Sequence, residues 1–232
     1  MYQLARHISA LRTTQRPRLS QRKSAFKKNA SYSNIRSVST YVGLMNQNRQ
    51  WVTNQLSLKP DYFDTLASGQ SPQYMMIACS DSRVTPNTIT QTDLGDIFAV
   101  RNVANQVQPT DTSAMAAIEY AVTALKVPNI IVCGHHHCGG VAAAMSDTSY
   151  SGAIGQWIQP IRNLYHDNKG KLDRFSNQDD REIAMIELNV IQQVEQLATL
   201  PVIQSASNPP LIHGWVFNLG TGEIRAVTPQ KD

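Results

Sequence analysis

Three side chains in the middle of the sequence have the types and spacing to hold a transition metal. Cys79 stands in Cys-Ser-Asp-Ser-Arg, while His135 and Cys138 form a His-x-x-Cys pair followed by Gly139 and Gly140. Two thiolates and one imidazole are a standard zinc set. Three protein ligands leave the fourth tetrahedral position to water, the mark of a catalytic site. His-x-x-Cys spacing lets both side chains turn to one ion, and Gly134, Gly139 and Gly140 let the backbone fold closely around it. Asp81 and Arg83, two and four residues beyond Cys79, can form a bidentate pair. Beside a metal, Asp81 would accept a hydrogen bond from bound hydroxide while Arg83 keeps it ionised. The same carboxylate could instead ligate the ion and shut the site, or the pair could be a salt bridge at a strand end. Cys133, inside an apolar run, reads as a small buried hydrophobe. The absence of a Cys-x-x-Cys pair argues against thiol redox chemistry.

The elements that must position these residues alternate between strands and helices. Gln73–Cys79 is a mostly apolar run after a Gly-Gln-Ser-Pro turn signal and reads as a buried strand. Asp96–Arg101 and Asn129–Cys133 read as two more. Leu211–Leu219 and Glu223–Val227 complete the strands, joined by a turn at Thr221-Gly222. Helices are expected over 42–58, Asp111–Leu125, the short stretch from Gly139-Gly140 through Met145, 154–166 and 180–199. In the last of these, Ile183, Ile186, Val190, Val194 and Leu197 recur at steps of three and four. This alternation indicates an α/β fold with a mainly parallel central sheet flanked by helices. In such sheets, sites form at the carboxyl ends of strands. Cys79, His135 and Cys138 all fall at that edge.

The charge distribution splits the chain. Residues 1–60 hold eleven Lys or Arg and no acid, leaving ten basic and seventeen acidic residues, a net of −7, in the remainder. The whole-chain pI of about 9.0 therefore belongs to the leader and does not point the body at nucleic acid. Leu4, Ile8 and Leu11 fall at helical spacing in an Arg- and Ser-rich, acid-free start. That is the composition of a mitochondrial transit peptide, with a chloroplast leader as the alternative. Residues 1–40 are expected to be a targeting leader cleaved somewhere in 30–41, and 41–232 a single domain imported into the mitochondrial matrix. No apolar run approaches the length of a membrane span.

The motifs and their order resemble the β-class carbonic anhydrases over roughly Asp61 to Val227. The family's Cys-x-Asp-x-Arg motif falls on Cys79, Asp81 and Arg83, and its His-x-x-Cys-Gly-Gly motif on His135, Cys138, Gly139 and Gly140. Similar blocks run from Gly95 to Asn105, from Ala117 to Val122, and over His213-Gly214-Trp215. The resemblance implies one zinc per subunit on Cys79, His135 and Cys138, with Asp81 and Arg83 as catalytic residues. It implies reversible hydration of carbon dioxide to bicarbonate and a proton by a zinc-bound hydroxide. The family's pocket walls carry onto Phe98, Val103 and Tyr120, with Gly139 beside the metal. The segment Gly69-Gln70-Ser71-Pro72 resembles the plant-type branch, whose Gln reaches the pocket of a neighbouring subunit. That role carries onto Gln70 and implies a homodimer or a higher even homo-oligomer. Another branch has a Trp three residues before the first zinc ligand, as part of an inhibitory bicarbonate site. Met76 stands there in this chain, so that site is not expected. Where many relatives carry Ser, Thr or Tyr-Gly after the ligand His, this chain has His136 and His137, either tolerated variation or proton shuttles with a pKa near neutrality. Hydrolases of carbon disulfide or carbonyl sulfide use the same metal motifs and are the competing enzyme class. A catalytically idle zinc scaffold is a third reading, against which Asp81, Arg83, Gln70 and the apolar pocket all argue.

Overall fold

The computed structural model describes residues 40–227. Residues 1–39, on which nearly all of the expected leader falls, and residues 228–232 lie outside the described residues. The described chain divides into two compact units, one ending at Gly69 and the other beginning at Gln70.

The first unit is helical. Helix α1 (Tyr41–Leu58) starts at Thr40, whose hydroxyl accepts from the Gly43 amide at 3.0 Å, a side-chain N-cap. Helix α2 (Tyr62–Ala67) follows after a short turn. The Trp51 ring meets Tyr62 and Phe63 edge-on, with centroids 6.4 and 5.4 Å away. These aromatic contacts join the two helices.

The second unit is built on a five-stranded sheet in the order β2-β1-β3-β4-β5. The strands are β1 (Tyr74–Cys79), β2 (Ile97–Asn102), β3 (Asn129–His135), β4 (Leu211–Phe217) and β5 (Ile224–Ala226). The first four pair in parallel, and β5 runs antiparallel to β4. Central β1 and β3 are buried from Met75 to Cys79 and from Ile130 to His135. Apolar runs without alternation are what a parallel strand covered on both faces requires. One face packs Met75, Ile77, Ile130 and Val132 into the main core. The other face packs Met76, Ala78, Ile131 and Cys133 against Val84 and Phe217.

Between the strands lie α3 (Pro86–Thr90), α4 (Thr112–Thr123), α5 (Gly139–Met145), α6 (Gly152–Leu172), α7 (Gln178–Ala198) and α8 (Pro201–Gln204). Asp111 caps α4, its Oδ1 accepting from the Ser113 and Ala114 amides. Ala114, Ile118, Ala121 and Val122 form the buried stripe of that helix. Helix α6 runs six residues beyond the expected end at 166, because Asn168 and Leu172 turn inward with Leu164 and Tyr165. Packing of an inner face carries a helix through a polar stretch that periodicity alone does not support. Strand β3 runs two residues past the expected Cys133, because Gly134 and His135 pair with Val216 and Phe217 of β4. Glu187, fully buried in α7, pairs with Arg225 and ties the edge strand β5 to the helical layer.

The chain lays β2 on one side of β1 and then crosses to lay β3 on the other. Strand order therefore reverses at the carboxyl ends of β1 and β3, where open α/β sheets form their binding crevice.

Candidate metal centre

Cys79 is the last residue of β1, and His135 is the last residue of the neighbouring β3. Cys138 sits three residues on, at the N-cap of α5. Gly134 permits close packing of β3 beneath α7. A Cβ there would lie 2.6 Å from Val190 Cγ2 and 3.3 Å from Ile186 Cγ2. Gly140 plays the same part for α5, since its Cβ would lie 2.7 Å from Val103 Cγ1.

The ligand atoms of Cys79, His135 and Cys138 all lie within 4.8 Å of one another, and all three residues are buried. The two sulfurs are 4.0 Å apart. Two thiolates about 2.3 Å from one tetrahedral zinc would stand roughly 3.8 Å apart. His135 Nδ1 lies 2.9 Å from the His136 carbonyl and donates to it. That bond fixes the tautomer and leaves Nε2 with its lone pair free. Nε2 is buried and has no hydrogen-bond partner, a position that is costly for a polar atom unless something binds it. The donor set, the sulfur separation and the orphaned nitrogen all fit zinc.

The electrostatics of the two cysteines are those of a pair sharing one proton. The side-chain hydrogen bond from Cys138 brings the Cys79 thiol down to about 4, against burial and with help from His135 and from the Asp81 and Ala104 amides. Cys138 moves the opposite way, because it hydrogen-bonds to Cys79 and is itself buried. Two thiolates this close are both stable only with a cation between them. Burial pushes the third cysteine, Cys133, up to about 12, and it stays a thiol in the core.

Asp81 faces this cluster from the turn after β1. Its Oδ1 accepts from the Arg83 amide and from Arg83 Nε, each at 2.9 Å, and its Oδ2 accepts from Arg83 Nη2 at 2.7 Å. The Arg83 hydrogen bond holds the Asp81 carboxyl well below the usual carboxylate range. Oδ2 also lies 3.9 Å from His135 Nε2, so one oxygen of a fixed carboxylate points at the place where the ligands converge. Arg83 Nη2 reaches on to the His137 carbonyl at 3.3 Å. His137 itself is exposed, with a left-handed φ of 55°.

Residues 74–224 match the protein family described as carbonic anhydrase. The fold superposes, with a TM-score of 0.79 and 36% identity, on one of two tetrameric β-carbonic anhydrases from Sordaria macrospora, covering 82% of this chain and 97% of that one. The chain belongs to the β-class carbonic anhydrases. A carbonic anhydrase of Emericella nidulans is 41% identical over 189 residues, covering 80% of this chain and 82% of that protein. A Coccomyxa β-carbonic anhydrase solved with acetazolamide superposes with a TM-score of 0.77 at 35% identity, covering 81% of this chain and 86% of the other. This carbonic anhydrase is thus an enzyme of the class that hydrates carbon dioxide. No helix among its described residues is long and apolar enough to cross a membrane.

The residues expected to wall the substrate pocket are partly gathered. Phe98 on β2 and Tyr120 on α4 have ring centroids 5.9 Å apart. Tyr120 is 49% exposed. Val103 is half-buried in a 3-10 turn (Val103–Asn105) directly after β2. Gly139 is exposed, with open space where a Cβ would stand. Gln70 is apart from the others. It precedes β1, whose six residues place Cys79 about 17 Å from Tyr74, so within one chain Gln70 and the cysteine cluster lie toward opposite ends of that strand.

Two contributors to the site escape the motifs. Arg101, at the end of β2, donates from Nε to the Cys79 carbonyl at 3.1 Å and from Nη2 to the Asp81 carbonyl at 2.7 Å. It clamps the backbone that carries both residues, and its place in the block from Gly95 to Asn105 was the available signal. The Ala104 amide donates to Cys79 Sγ at 3.4 Å. A backbone donor leaves no mark in sequence.

Proposed function

We propose that the protein hydrates carbon dioxide reversibly to bicarbonate and a proton at one zinc ion per chain, held by Cys79 Sγ, His135 Nε2 and Cys138 Sγ. The observation that carries this reading is the buried, partnerless His135 Nε2 beside two cysteines at zinc-ligand spacing. When bound, zinc is a Lewis acid that lowers the pKa of a water in its remaining tetrahedral position towards roughly 7.

The chain's own residues do the rest. Asp81 Oδ2 accepts a hydrogen bond from the reacting water and turns its lone pair toward the substrate carbon. Arg83 keeps Asp81 ionised and locked, since three hydrogen bonds leave the carboxylate no freedom to swing. With both oxygens engaged by Arg83, Asp81 is better suited to orient water than to ligate the metal. Phe98, Val103 and Tyr120 offer carbon dioxide an apolar wall. Gly139 leaves room beside Cys138 for the substrate. Gln70 hydrogen-bonds the developing bicarbonate in the pocket of a second copy. Its position toward the far end of β1 supports that assignment, and so does the description of the Sordaria macrospora relatives as tetrameric. We therefore read the working form as a homodimer or a higher even homo-oligomer. The basic start of the chain is read as a leader for mitochondrial import, and a reporter fused to residues 1–40 tests it: a cytosolic reporter contradicts it.

Cys138→Ser tests the metal assignment directly. The variant is expected to lose both zinc and hydration activity, and full activity without metal would defeat the assignment.

A further inference from the structure

Resting on the metal centre proposed above, we infer that Asn189 and Gln193 of α7 are positioning residues of that centre, holding the Ala104 carbonyl and through it the residue's left-handed turn, so that the Ala104 N–H donates to the Cys79 sulfur.

Four buried hydrogen bonds run in series from helix to ligand. The Val107 amide donates to Gln193 Oε1 at 2.8 Å. Gln193 Nε2 donates to Asn189 Oδ1 at 3.0 Å. Asn189 Nδ2 donates to the Ala104 carbonyl at 3.0 Å. The Ala104 amide donates to Cys79 Sγ at 3.4 Å. Asn189 is 1% exposed and Gln193 4%. One helical turn apart, they share a face of α7. Each amide presents its oxygen to one partner and its NH2 to the next, so the orientation of both is settled by the series itself.

Ala104 needs such support. It lies in the left-handed region, with φ 62° and ψ 31°, which a residue bearing a Cβ adopts only when its surroundings impose it. This conformation lets one peptide segment meet a sulfur with its N–H and an α7 amide with its C=O. A second helix grips the same loop. Trp157 Nε1 of α6 donates to the Val103 carbonyl at 2.8 Å, and the Trp157 carbonyl accepts from Gln106 Nε2 and Gln108 Nε2, each at 2.9 Å. Trp157 thus holds the Val103–Ala104 peptide, which carries the N–H, and Asn189 holds the next peptide, Ala104–Asn105, so the two together pin Ala104 in its left-handed turn.

A hydrogen bond to a metal-bound thiolate draws electron density from sulfur and reduces what sulfur gives the ion. It also fixes the direction of the sulfur lone pairs. Without it the thiolate donates more charge, and the ion acidifies water less.

The test uses the full chain loaded with cobalt(II) in place of zinc, reading the thiolate-to-cobalt charge-transfer band. Asn189→Leu removes the amide at nearly constant volume. It is expected to move the band to longer wavelength, because the unbonded sulfur gives up charge more easily, and to weaken zinc about tenfold in chelator competition. Gln193→Met leaves the Asn189 donor in place but frees its orientation. It is expected to shift the band the same way by less, and it decides the matter if Asn189→Leu does not fold. Asn168→Leu is the control. Asn168 is a buried asparagine of α6 that donates to the Leu164 carbonyl, so its loss should lower the melting temperature and leave the band in place. A folded Asn189→Leu or Gln193→Met protein with an unmoved band overturns the inference, as does an equal shift in Asn168→Leu. If wild-type protein shows no thiolate-to-cobalt band at all, the metal centre itself is wrong and the inference falls with it.

Discussion

Replacing Asp81 by Asn separates orienting a reacting water from ligating the metal. The amide keeps an oxygen for the Arg83 amide and Nε, which stand 2.9 Å from Oδ1 in the wild type. At the Oδ2 position it puts an NH2 group 2.7 Å from Arg83 Nη2. Two donors cannot share that distance, so the guanidinium must move and its contact with the His137 carbonyl goes with it. The acceptor that faces His135 Nε2 at 3.9 Å is replaced by a donor, which cannot accept a hydrogen bond from water. A charge-assisted hydrogen bond is worth about 1.5–3 kcal/mol, or roughly 10- to 160-fold in rate. Asp81 keeps 16% of its side chain exposed, so solvent screening favours the lower half of that range, about 10- to 40-fold. The assay is stopped-flow carbon dioxide hydration with zinc measured on the same sample. The expected result is a rate loss of that size with zinc retained. A rate within about twofold of wild type, with zinc retained, would refute the orienting role. Loss of zinc would refute it differently, by making Asp81 a ligand.

Two further outcomes follow from the geometry. Gly134→Ala should lower stability by about 1–3 kcal/mol, the usual cost of overpacking, because the new methyl would sit 2.6 Å from Val190 Cγ2; thermal melting checks it, and an unchanged midpoint would show that α7 yields freely. The apo protein at pH 7 should hold Cys79 as thiolate, its pKa being lowered to about 4, and Cys138 as thiol, its pKa being raised. Zinc uptake should then release about one proton per chain and weaken about tenfold for each unit that pH falls below neutrality. Calorimetry in two buffers of different ionisation enthalpy reads the number, and a release of two would show that Cys79 does not hold its proton loosely.

The metal residues were legible in the sequence because each lies where a pattern ends. Cys79 closes an apolar run, His135 follows another after a glycine, and Cys138 precedes a Gly-Gly helix start. Sites in open α/β sheets form at carboxyl strand ends, and that rule alone places all three residues at one edge. Element ends were less legible where partners decide them. Strand β3 continues to His135 because β4 offers partners to Gly134 and His135. Short α3 and α8, five and four residues of helix beginning at prolines, are too short for any period to show. The loop around Ala104 was the least legible part. Asn105 beside it is a residue type that tolerates a left-handed φ, but Ala104 is not, and α6 and α7 impose its conformation from outside. Asn189 and Gln193 lie among Ile186, Val190 and Leu197 on a largely buried helix, where periodicity marks the apolar positions and is silent about two amides turned inward with them.

The most direct measurement is stopped-flow carbon dioxide hydration by purified residues 41–232, with zinc counted per chain. The account predicts fast hydration with one zinc per chain, both lost when the metal is stripped and both restored when it returns. Stoichiometric zinc without hydration from neutral to alkaline pH would contradict it.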